Sequence, residues 1–477
     1  MSSSPPKSAH SPLLAQQLSS TALSSTTSSA TMATLEGTSG TSTDKTTKRT
    51  KRNSMESEER ENGISCARHI TWQKQRAGNG GGPLSYGEVM HESLTDSFEW
   101  ARPYAKTAKV FVNATIVVLQ MGIGVLKYDF IVAHLRELFN EFTSFHVSAF
   151  VWALIIFPPM VLLNFIRTLQ RIALLSSIGN LFMFGAYGAI FYHLLLPPYR
   201  IAELPWWNTP AGILSACGSI LYCFEGQAMV LPMENKMRFP GEMVSRVGVL
   251  STGMALTAIF DAAVGFLGYA KFGEHIQGSV TLNLAPTPLL VLVRLIFTAI
   301  SFLDFLLQQY VTIQMLWPPL RRRFCVFAAA TAQDESNRAS NDGTGTEAMA
   351  AAVAPPQQHD HPQQRQWKTE LLLRLCEYLF RAALVATTML IAIGVPNLEQ
   401  IMPLVGFSGG VFLAFVFPPL IYTFTFVPSL MCEQQNAKVY RRLARNFCYL
   451  AFGLFGSFAG LKTTLEDIFR PTAAANN

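Results

Sequence analysis

From residue 107 onward the chain alternates long apolar stretches with short polar connections, and that alternation leaves few architectures open to it. The apolar stretches lie near 108–133, 147–166, 172–196, 210–232, 245–269, 287–315, 370–394, 400–427 and 446–467. Each is near the ~20 residues that a helix needs to cross a hydrocarbon core of about 30 Å. In lipid every backbone amide and carbonyl must be satisfied within the segment, so runs of this length are helices. An all-α polytopic membrane protein with about nine transmembrane helices is therefore expected. Composition agrees: 49% of the 477 residues are hydrophobic and 14% are charged, against roughly a quarter charged in soluble domains. Several stretches contain breakers, such as Pro158-Pro159, Gly409-Gly410 and Pro418-Pro419. These persist where neighbouring helices or cavities satisfy the freed backbone groups.

Residues 1–84 differ in kind. They are rich in Ser, Thr, Ala and Gly, hold no apolar run, and are expected to form a disordered cytosolic tail. Nothing after Met1 resembles the apolar region of a signal peptide. The run Lys48-Arg49-Thr50-Lys51-Arg52 reads as a solvated basic stretch, with a nuclear signal or a lipid-binding patch as alternatives. A second polar region, 320–368, carries Ala and Gln tracts and is expected to be a disordered cytosolic loop. Its His359-Asp360-His361 cluster lacks further ligands, so no metal site is expected there. Between them, 85–467 forms the membrane domain, and 468–477 is a short C-terminal tail. The seven cysteines show no CxxC pair and are expected to pack rather than to form disulfides.

Basic residues suggest the orientation. Arg167 and Arg171, then Lys236, Arg238 and Arg246, then Arg321-Arg322-Arg323, then Lys438, Arg441, Arg442 and Arg445 fall in alternate connections. The connections between them, 197–209, 270–286 and 395–399, contain only Arg200 and Lys271. By the positive-inside rule the basic set faces the cytosol together with the N-terminus, and an odd number of spans places the C-terminus opposite. The net charge of +6 is accounted for by such placement, and no nucleic-acid partner is expected.

A charge at bilayer depth costs about 3 kcal/mol or more, so each one in a span is a candidate for function. Glu225 is the most conspicuous. It interrupts the stretch SILYCFEGQAMVLPMENKM at 219–237, between Phe224 and Gly226. Glycine there allows the helix to break, and a broken helix exposes backbone groups that can hold a polar solute. The alternative is a structural glutamate paired to a neighbouring helix. Asp261 and Asp304 are further intramembrane acids, which either relay protons or pair with Lys127 or Arg294. Lys127 itself is expected to snorkel to the outer interface. No intramembrane His cluster, Ser/Lys pair, paired-Asp motif or cofactor signature is present, so an enzyme is not expected.

The segments CFEGQAMVLPMENKM and, at 268–284, GYAKFGEHIQGSVTLNL resemble the amino acid/auxin permease family, within it most of all the animal proton-coupled amino acid transporters. SYGEV at 85–89, RTLQRIALLSSIGN at 167–180, LLQQYV at 306–311 and VPNLEQIMPLVGFSGGVFLAFVFPP at 395–419 match in the same order. The resemblance implies the inverted-repeat amino acid transporter fold, with two broken helices binding substrate near the bilayer midplane. It implies proton-driven alternating-access transport of small neutral amino acids, at a plasma membrane or a lysosomal or vacuolar membrane. Amino acid, protons and lipid bilayer are then the partners. Carried over by position, the substrate site comprises Phe224, Glu225, Gly226, Gln120, Gln308 and Tyr310, although both Gln308 and Tyr310 also suit plain helix–helix hydrogen bonding. Proton coupling would fall to Glu225, Asp261 or Asp304. Lys127 stands where relatives tend to carry Tyr, and the two acids where relatives have uncharged residues. By its matches the chain begins at the family's third span, with nothing before Ser85 that reads as the first two. A non-transporting relative, sensing amino acids or scaffolding a partner through its polar segments, is the alternative.

Overall fold

The structure, a computed structural model, describes residues 66–67, 70–71, 84–145, 147–167, 169–199, 201, 204–224, 226–235, 237, 239–243, 245, 247–277, 279–284, 287–341, 362–395, 398–432 and 436–469. Among the described residues there are helices and turns and no strand. Every apolar stretch of the sequence falls on helix. The helices are α1 (Tyr86–Thr95), α2 (Ala105–Phe142), α3 (Ala149–Asn164), α4 (Leu169–Leu195), α5 (Pro210–Cys223) and α6 (Gln227–Glu234). They continue as α7 (Val249–Phe272), α8 (Pro288–Asn341), α9 (Pro362–Gly394), α10 (Leu398–Val405), α11 (Phe417–Cys432) and α12 (Asn436–Phe469). Among the described residues six segments are long and apolar enough to cross a membrane: Arg102–Phe142, Leu174–Leu195, Val249–His275, Pro288–Val326, Glu370–Gly394 and Gln400–Pro428. Helices α3 and α5 are apolar but shorter. Helix α12 spends its first three turns on Arg441, Arg442 and Arg445, and only then turns Phe447, Phe455 and Phe458 outward.

Local chemistry explains several boundaries. Helix α1 opens on a capping box in which the Ser85 amide and hydroxyl both donate to the Glu88 carboxylate at 2.9 Å. Burial would raise the Glu88 carboxyl, but the Ser85 bonds and Lys109, 3.5 Å away, hold it below its ordinary range. Gly273 ends α7 at φ +58°, a region that side-chain-bearing residues avoid. Lys271, two residues earlier, donates to the His193 and Leu196 carbonyls, tying the end of α7 to the end of α4. Between α10 and α11 the chain makes two wide π-type stretches, 406–410 and 412–416. The Ser457 hydroxyl on α12 donates to the Phe407 carbonyl at 2.9 Å, meeting one backbone group there. This segment touches α5 backbone to backbone: a Cβ on Gly406 would stand 2.0 Å from the Gly218 carbonyl oxygen.

Two expectations about the polar segments are corrected, and one about the cysteines. Residues 320–341 and 362–368, read from sequence as loop, are helical, because α8 runs on to Asn341 and α9 starts at Pro362. The Ala-rich run after Phe327 is a strong helix former despite its low hydropathy. Near the other end, Cys66, Ala67 and Ile70 belong to helical turns and are buried against the core, in a region read as disordered tail. Their i, i+1, i+4 spacing is a helical face too short to register as an apolar run. Among the cysteines, Cys66 and Cys223 are buried, but Cys217, Cys325 and Cys448 are exposed rather than packed. The Lys48–Arg52 run and His359-Asp360-His361 lie outside the described residues.

Candidate functional site

The stretch 210–234 is a helix in two pieces. α5 ends at Cys223 with Phe224 as its C-cap, and α6 begins after Gly226 with no side-chain cap on its first amides. Phe224 is half-buried and Gly226 exposed; Glu225, between them, lies outside the described residues. A Cβ on Gly226 would meet nothing within 4 Å, so the space beside the break is open. The carbonyl end of α5 and the amide end of α6 therefore converge on accessible volume, where partial charges of both signs can meet a zwitterion.

Next to this break lies a buried polar cluster. Lys127 on α2 and Asp304 on α8 meet at 3.6 Å with side chains 4% and 1% exposed. The expectation that Lys127 snorkels outward is corrected: it points into the interior, where Asp304 supplies the opposite charge that a buried ammonium requires. Tyr187 on α4 is within electrostatic reach of Asp261 on α7, of Asp304, and of Cys223 at the end of α5. Its ring packs on Phe297 and Phe260, with centroids 5.4 and 5.9 Å away. Asp261 is 4% exposed, and neither of its carboxylate oxygens has a hydrogen-bond partner among the described residues. Two acids, one ammonium and one phenol from four helices thus share the interior beside the break.

Arg294, the other pairing candidate, takes no part. It is buried, binds Glu141 on α2, and donates to the Thr281 carbonyl at 2.8 Å and to the Leu284 carbonyl. The Thr281 hydroxyl in turn bonds His134 at 2.6 Å and Ser279 at 2.7 Å. The segment after α7 is thereby clamped onto α2 and α8, and Asp261 is left without that cation.

Of the carried-over substrate positions, Gln120 and Gln308 are buried, and each side-chain carbonyl oxygen lacks a partner among the described residues. Gln120 lies seven residues before Lys127 on α2. Ser301, Asp304 and Gln308 follow i, i+3, i+7 on α8, so the two polar stripes lie on helices packed along one another. Tyr310 is not brought to them. It is half-buried on another flank of α8, where Gln314, one turn further along the same helix, donates to its hydroxyl. Sequence reasoning missed Tyr187 and Ser301. Neither carries a charge, and a lone Tyr or Ser in an apolar run is ordinary; only the acids around them single them out.

Residues 64–465 match the family described as transmembrane amino acid transporter protein. The chain is 25% identical over 414 residues to the probable amino acid transporter skat-1 of Caenorhabditis elegans, covering 85% of this chain and 79% of that one. It is 22% identical over 411 residues to the proton-coupled amino acid transporter-like protein pathetic of Drosophila melanogaster, covering 84% and 75%. The match starts two residues before the buried Cys66 and ends within α12, so it takes in the broken helix and every helix that contributes to the acid cluster. The chain belongs to the transmembrane amino acid transporter family.

Proposed function

We propose that the protein is a secondary active transporter that moves small neutral amino acids by alternating access, driven by protons, with the α5–α6 break as its substrate site. The observation that carries this reading is that Tyr187 lies within electrostatic reach both of Cys223, at the end of α5, and of Asp261, a buried acid whose oxygens have no partner among the described residues. An ionised carboxylate so placed costs several kcal/mol, and a proton arriving with the substrate removes that cost. Lys127 already balances Asp304, which leaves Asp261 to take up and release the proton. The substrate's carboxylate would face the free amides of α6 and its ammonium the carbonyl end of α5. The relatives' printed names, one of them proton-coupled, support the same substrate class.

The test is uptake of radiolabelled alanine, glycine and proline into proteoliposomes under an imposed inward proton gradient. Glu225→Ala is expected to abolish uptake, and Asp261→Asn to abolish the response to the gradient while retaining exchange of internal for external substrate. Gradient-driven uptake by Asp261→Asn at wild-type rate would remove Asp261 from coupling, and full activity in Glu225→Ala would remove the break as the substrate site.

A further inference from the structure

Far from the acid cluster, where the apolar part of α8 runs out and that of α9 begins, a cleft of about 180 Å³ is lined by Arg167, Trp317, Arg321, Glu370, Arg374 and Glu377. Arg167 follows the last turn of α3, so three helices end their apolar lengths at this one place. Its charges are unevenly satisfied. Glu377 is fully used: one oxygen accepts from Arg167 at 2.8 Å and the other from Arg381 at 2.9 and 3.1 Å. Glu370 faces Arg374 at 3.6 Å with both side chains largely exposed, a contact of little strength. Arg321 has no acidic partner among the described residues, and Arg322 and Arg323 beside it are exposed. The Trp317 ring is stacked on Phe380 at 5.7 Å, a flat apolar wall one turn before Arg321, toward the apolar length of α8.

We propose that this cleft binds the phosphate of an anionic lipid headgroup. The guanidinium forks of Arg321 and Arg374 offer paired N–H donors at the spacing of phosphate oxygens. Tryptophan at the headgroup level is an interfacial anchor, and basic pockets between helices on the cytosolic side suit phosphorylated headgroups. The connections that flank the cleft carry the excess of Lys and Arg that marks that side. Position, aromatic wall and unspent cations agree on a ligand with an apolar body below and a phosphate above.

The full chain is reconstituted in nanodiscs of phosphatidylcholine containing a minor fraction of fluorescent phosphatidylinositol bisphosphate, and binding is read by energy transfer from the protein's tryptophans. Arg321→Gln and Arg374→Gln are each expected to weaken binding about fivefold, the worth of one surface cation. Lys462→Gln, on an exposed pair elsewhere, is expected to leave it unchanged. Thermal melting of each variant at the wild-type temperature shows that the fold is kept; Arg167 is left in place because it holds Glu377. Competition by inorganic phosphate as strong as by lipid would make a free anion the ligand and overturn the lipid assignment. No lipid binding, or equal binding by all variants, overturns the site altogether. Binding is read without uptake, so the result is independent of the transport reading.

Discussion

Lys127 and Asp304 are a pair from which neither member can be taken alone without leaving a charge in an apolar interior. Lys127→Met is therefore expected to destabilise by about 3–5 kcal/mol, while Lys127→Met with Asp304→Leu recovers most of the loss. Melting temperatures of the three proteins in detergent check this, and a double variant no better than the single one would mean that the pair is not the relevant interaction. At this scale the sequence showed that charges were present but not where they pointed. Lys127 lies within reach of an interface by count of residues, and only the packing of α8 against α2 turns it inward. Arg294 and Asp261 were open to pairing by type, and it is Glu141, about four turns further along α2 than Lys127, that takes Arg294 instead.

Elements were more legible, because hydrophobic length and helix-breaking residues are local properties. All nine apolar stretches became helix, and the break at 224–226 coincides with the one acid in its span. What escaped was context-dependent. The helical continuation of α8 to Asn341 has no hydrophobic signal, and Cys66, Ala67 and Ile70 are held by burial rather than by the length of an apolar run. The Gly406–Gly218 contact is of the same type: the glycines are visible, their partner is not. Gly406→Ala would place a methyl against the Gly218 carbonyl, and overpacking of this kind costs at least about 1–3 kcal/mol. Gly226→Ala, with nothing within 4 Å, serves as its counterpart. The first variant is expected to lower the melting temperature by several degrees and the second to leave it unchanged; the reverse order would contradict the packing of α5 on the wide-turn segment.

For the whole molecule, the orientation expected from the placement of Lys and Arg can be read by chemistry. Cys325 is exposed just past Arg321-Arg322-Arg323, whereas burial, outweighing a hydrogen bond to Thr425, pushes the Cys66 thiol up to about 12. A thiol so held is protonated and unreactive. In a variant that keeps only these two cysteines, a membrane-impermeant maleimide is expected to label Cys325 in inside-out vesicles and not in intact cells. Cys66 is expected to react only after denaturation. Labelling of Cys325 from outside intact cells would invert the topology.

Helix α8 also leaves the membrane: its last fifteen residues, beyond Val326, extend roughly 22 Å. Just inside that boundary stand Pro318 and Pro319, which lack amide hydrogens and so deprive the Gln314 and Met315 carbonyls of their rungs in the ladder. A rod with two adjacent rungs missing bends there before it bends elsewhere. The outer arm and the inner, acid-bearing half are thus joined as by a universal joint: a pull on the arm swings it about the prolines, and little torque reaches Asp304.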